Sequence, residues 1–148
     1  MIIAFAAPGV LSGQVKGPRV DTAKYVIMKY DPKDPMQGDL FREGRAAPLT
    51  GEEVDGMEEL IVEACRVYNV ESAEMWRLFP LSTYNRIYIA VTTATHEKEV
   101  WVYFFHKQFG GDWRHQIPLI DDGGPSVFRL IINLSRRRVG PVMTNGIA

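Results

Sequence analysis

Two stretches of alternating side chains, Arg86 to Ala94 (RIYIAVTTA) and Glu99 to Lys107 (EVWVYFFHK), are separated only by the polar tetrapeptide THEK. A period of two marks strands whose two faces meet different surroundings, and a short polar break between such runs marks a hairpin. A chain carrying this pair is committed to an antiparallel sheet, and its other segments have to be placed around it. With Ala94 set opposite Glu99, Val91 meets Val102, Ile89 meets Phe104 and Ile87 meets His106. The reverse face then pairs Thr92 with Trp101, Ala90 with Tyr103 and Tyr88 with Phe105.

The same reasoning extends downstream. Gly110-Gly111 reverses the chain, so that WRHQIPLI returns as a strand over about 113–120, and DDGG at Asp121 to Gly124 supplies the next tight turn. PSVFRLIINL follows as a strand over about 126–135, and a last edge strand is expected near 139–146, with Pro141 favouring the edge. Asp112, Asp121 and Asp122 are therefore turn residues. Neither glycine pair is a phosphate cradle, because no helix follows it. This register collects Ile87, Ile89, Val91, Val102, Phe104, Ile117, Phe128, Leu130 and Ile132 on one aliphatic face.

Upstream, the hydrophobic period is that of a helix. In PLTGEEVDGMEELIVEACRVYN, Thr50 is followed three residues later by Glu53, the pattern of a capping box, with Leu49 and Val54 placed as a hydrophobic staple. Val54, Met57, Ile61, Ala64, Cys65 and Tyr68 fall on one stripe, which predicts a helix over about 51–68 closed by Asn69. Glu52, Glu53, Glu58, Glu59 and Glu63 read as its solvated face. Glu71 to Leu81 reads as a short helix or an irregular strand ending at Pro80, with the strand preferred. KYVIMKY near 24–30 and the apolar start near 2–6 are expected to be strands. Asp31 to Pro48, rich in Pro, Gly and Asp, is a long loop of the kind that serves as a lid or interaction segment.

The fold class that results is α+β, a single domain over 1–148 with one long helix packed on the aliphatic face of a mainly antiparallel meander of four to six strands. One helix followed by a meander is similar in outline to the cystatin-like and NTF2-like folds, a likeness of shape that implies no particular activity.

Composition narrows the function classes. Seventeen basic against eighteen acidic residues leave a net charge of -1, so there is no basic field for nucleic acid, and Arg136 to Arg138 reads as a solvated hairpin turn. No apolar run approaches the roughly 18 residues of a membrane span. MIIAFAAPGVL lacks a positive start and is broken at Pro8-Gly9, which argues against a secretory leader. Cys65 is the single cysteine, so no intramolecular disulfide and no CxxC motif exist, and a reducing cytoplasmic compartment is expected. No motif for a cofactor, phosphate or catalytic nucleophile is present. A metal site would need a third ligand beside His106 and His115, and His96 belongs to a distant turn.

One feature of the strands points to function. By the register above, the second face carries Tyr88, Trp101, Tyr103, Phe105, Arg114, Gln116 and Arg129, aromatic planes beside a few hydrogen-bond donors. Such a surface suits a second layer of the same chain, such as the Met1 to Tyr30 region, or else a protein partner or a small anionic or aromatic molecule, and a homo-oligomer, with a dimer favoured. This reading, a binding protein without enzymatic activity, is preferred. The alternative is a small cofactor-independent enzyme in which His106 or His115, both projected onto the apolar face near Trp113, acts as general base.

Overall fold

The computed structural model describes residues 19–147. The strand expected near 2–6 lies outside them. The elements are β1 (Tyr25–Lys29), β2 (Arg45–Ala46), α1 (Gly51–Glu71), β3 (Tyr84–Thr92), β4 (Lys98–His106), β5 (Val127–Asn133), β6 (Arg138–Val139) and β7 (Met143–Thr144). They form one sheet in the order β1-β3-β4-β5-β6, with β2 also on β3 and β7 also on β5. β3, β4 and β5 are the antiparallel meander. β1 joins β3 in parallel, a pairing that needs a crossover, and α1 lies on that connection. No helix among the described residues is long and apolar enough to cross a membrane.

The helix forms as its sequence dictates. The Thr50 hydroxyl accepts from Glu53 N at 3.2 Å, and the Glu53 carboxylate accepts from Thr50 N at 2.9 Å, satisfying two donors that the first turn leaves open. Val54, Met57, Ile61 and Cys65 are buried against the sheet. The helix runs past the expected stop to Glu71. Asn69 does not close it, because its side-chain oxygen accepts from Leu78 N at 2.7 Å and so ties down the returning chain. That return, Glu71 to Leu81, is not a strand; it contains short 3-10 turns at Glu74–Trp76 and Leu81–Thr83.

The β3–β4 hairpin departs from the expected register. His96 has φ 62, Thr93 N donates to Glu97 O at 2.8 Å, and His96 N donates to Thr93 O at 3.0 Å. This is a reversal of three residues ending in a left-handed position, not the four-residue THEK turn. Val91 consequently faces Glu99 instead of Val102, and Ile87 faces Tyr103. The displacement is three residues, an odd number, so β3 is turned over relative to β4. β4 and β5 sort their side chains as expected, whereas Ile87, Ile89 and Val91 lie with Trp101, Tyr103 and Phe105, and Tyr88 lies with Val102 and Phe104 under the helix.

Two further segments differ. Residues 113–120 do not form a strand, and β4 pairs directly with β5, Phe104 opposite Phe128 and Tyr103 opposite Arg129. Asp112 O accepts from both His115 N and Gln116 N at 3.1 Å, which coils the chain there, and Pro118 has no N–H to give a ladder. The expected strand over 139–146 is reduced to β6 and β7, two-residue pairings on either side of Pro141.

The left-handed backbone at His96 yields a prediction. His96→Val should cost about 1 kcal/mol relative to His96→Gly, because a branched side chain resists that region and glycine does not. Urea unfolding of the two variants measures the difference.

Candidate functional site

The face of the sheet remote from α1 is covered largely by the chain itself. Tyr30 and Phe41 meet edge to face at 5.4 Å, and with Leu40 they cover the Trp101 end. Gly44 lets this loop close on β3, since a Cβ there would stand 2.8 Å from Val91 Cβ. From the other side Trp113, Ile117 and Ile120 cover Phe105, with Trp113 and Phe105 5.6 Å apart. Leu40, Phe41, Trp113 and Ile120 thus cover this face from within the chain.

A cleft of about 300 Å³ remains between the Asp39–Leu40 loop and the Pro141–Met143 edge, floored by Trp101 and flanked by Arg129 and Ile131. Trp101 stacks on Tyr103 with rings 5.2 Å apart and 6° from parallel. Both are held by the alternation of β4, which points them away from the helix. Burial pushes the Tyr103 hydroxyl up to about 12, with the neighbouring Arg129 charge acting in the opposite direction. Arg129 itself is half-buried, opposite Tyr103 on β5, and makes no ion pair or side-chain hydrogen bond with the described residues. Asp39 is exposed at the mouth. The cleft therefore offers one guanidinium with open donors beside an aromatic floor and aliphatic walls.

The other residues singled out from the sequence are dispersed. Phe105 is fully buried beneath Trp113. Arg114 lies over the Trp113 ring at 4.5 Å and donates to Tyr25 O at 3.3 Å and to Ala23 O, tying the 107–123 excursion to β1. Gln116 is exposed, and Tyr88 is buried on the opposite face. His106 packs edge-on to Phe79 at 5.5 Å and Tyr84 at 6.2 Å on the helix side, its Nδ1 accepting from Gln108 N at 3.2 Å. His115 is exposed in the excursion, 2.6 Å from the Asp112 carboxylate. The two histidines belong to opposite layers. No group of three metal-ligating side chains occurs among the described residues.

A charged pair absent from the sequence-based expectations lies under the helix. Arg86 and Glu58, 5% and 6% exposed, form a bidentate bridge whose second contact, Nη2 to Oε1, is 3.0 Å. Arg86 Nη1 also donates to Tyr88 Oη at 3.2 Å, and the guanidinium lies 5.0 Å over Phe104. Burial alone would pull the Arg86 pKa down, but Glu58 and Tyr88 more than offset it and hold the group charged. Burial raises the Tyr88 hydroxyl to about 12 and the Cys65 thiol to about 12, so the thiol stays protonated and unreactive. A cavity of about 290 Å³ opens beside this pair near Lys24 and Ser82. Lys24 donates to Ser82 O, and the terminal nitrogens of Arg86 are already engaged, so the pair is built to hold α1 on β3.

No protein-family model, curated protein or solved structure matches this chain. Its site has to be judged on its own chemistry.

The buried pair can be tested directly. Arg86→Met strands the Glu58 carboxylate and should cost about 3–5 kcal/mol, whereas Arg86→Met with Glu58→Leu should cost far less, since an apolar pair has no charge to desolvate. Urea unfolding of the single and double variants gives the comparison.

Proposed function

We propose that the protein is a non-enzymatic binding module whose Trp101–Arg129 cleft takes a small planar anion. The observation that carries this reading is the half-buried Arg129 guanidinium, with no partner among the described residues, beside the stacked Trp101–Tyr103 floor. A charged donor in a partly desolvated cleft attracts a carboxylate or phosphate more strongly than one in open water. The indole face supports a flat apolar body, and Leu40, Ile131 and Met143 exclude water around it. Cytoplasmic residence fits this reading, as the lone thiol of Cys65 is buried and has no disulfide to lose.

Calorimetric titration with indole-3-carboxylate, with indole as the uncharged control, tests the proposal. Arg129→Ala should weaken carboxylate binding about 10–100-fold, the loss of one hydrogen-bonded charge contact, and leave any binding of indole unchanged. Trp101→Leu should weaken both. No saturable binding, or carboxylate binding indifferent to Arg129→Ala, would sink the reading.

A further inference from the structure

A groove of about 640 Å³ runs along the outer flank of α1, between the helix and the chain that follows β5. It shares Pro141 with the Trp101 cleft but does not depend on the function assigned there. Its helix wall follows the four-residue spacing of a helical row: Glu59, Glu63, Val67 and Glu71, with Leu60, Ala64 and Tyr68 as the next row inward. At 1.5 Å per residue the wall is about 18 Å long. Ala64 is the small residue that leaves the groove deep. The opposite wall begins with Arg137, whose backbone is left-handed at φ 52, and continues through Val139, Pro141 and Val142.

The charges on the two walls are segregated and largely unspent. Glu63 pairs with Arg66 at 2.7 Å, and Arg136 is taken by Glu97 at 2.6 Å. Glu59, Glu71 and Arg137 make no ion pair with the described residues. Between the walls the floor of Leu60 and Ala64 is apolar; Val67, on the helix wall, is 38% exposed, and Val70, on the same helix but outside the groove lining, is 71% exposed. Exposed valines on an otherwise charged helix leave apolar area that a partner would remove from water.

We infer that this groove is the contact surface of a homodimer. A groove with glutamates along one wall, one arginine, Arg137, on the otherwise apolar opposite wall and an apolar floor between them is complementary to itself. A two-fold axis running along the groove lays the glutamate wall of each copy on the Arg137 wall of the other, whereas an axis across it would set acid against acid. The charges thereby select one of the two ways in which two grooves can face each other. Arg137 of each copy meets the glutamate row of the other, and the valines close over the floor.

Sedimentation velocity on the full chain tests this at moderate and high salt. The wild type should sediment as a dimer in the micromolar range and dissociate as salt rises. Glu59→Lys/Glu63→Lys/Glu71→Lys and, separately, Arg137→Glu should each weaken self-association at least about tenfold, one lost charge contact or more, with circular dichroism showing the fold intact. Mixed in equal amounts, these two variants should form a heterodimer, because each then supplies the charge that the other lacks. A wild type that stays monomeric at these concentrations overturns the inference. So does a dimer that survives both wall reversals, or a mixture that associates no better than its components.

Discussion

The reversal between Thr93 and Glu97 governs the rest of this structure. Its single left-handed residue, His96, decides which side chains of β3 turn toward α1. With that choice made, Tyr84, Arg86, Tyr88 and Ala90 lie under the helix and Ile87, Ile89 and Val91 lie beneath the loops. A one-residue change in the turn would exchange the two sets and place the Arg86 charge among the loop residues, away from Glu58. The bidentate Arg86–Glu58 bridge is thus a consequence of turn geometry, and it in turn locks the helix to one position along the sheet.

The central strands are buried on both sides, but the two covers differ in kind. On one side a regular helix contributes a stripe at helical spacing and one buried carboxylate. On the other, two irregular segments contribute Tyr30, Leu40, Phe41, Trp113, Ile117 and Ile120. The opening left beside Trp101 lies where the Asp39–Leu40 loop stops short of the Pro141–Met143 edge. The candidate binding cleft exists because loops cover that face.

Several elements were legible in the residues themselves. The capping box at Thr50 and Glu53 and the stripe through Val54, Met57, Ile61 and Cys65 are local patterns, and they folded as local patterns do. The opposed faces of β4 and β5 were also legible, which is why Trp101, Tyr103 and Arg129 were correctly grouped on one face. Glu58 belongs by its charge to the solvated face of the helix, yet it sits four residues from Val54 and three from Ile61, on the buried stripe. That spacing was the available signal. Arg86 was missed with it, because the four-residue turn placed Arg86 on the other face.

The sequence by itself determined the helix with its cap, the alternation of the long strands and the presence of aromatic rings beside Arg129, since each depends on residues a few positions apart. Tertiary structure decided the β3 register, the conversion of 113–120 from strand to cover, and the meeting of Arg86 with Glu58. The reason is physical. The register depends on the sign of one backbone angle in an exposed turn, and β4 finds its neighbour β5 across twenty intervening residues (107–126). The competition between 113–120 and β5 for that edge is settled partly by Pro118, which cannot donate to a ladder, and partly by the distant fit of Phe128 on Phe104, rings 4.2 Å apart, which the alternation within 113–120 does not reveal.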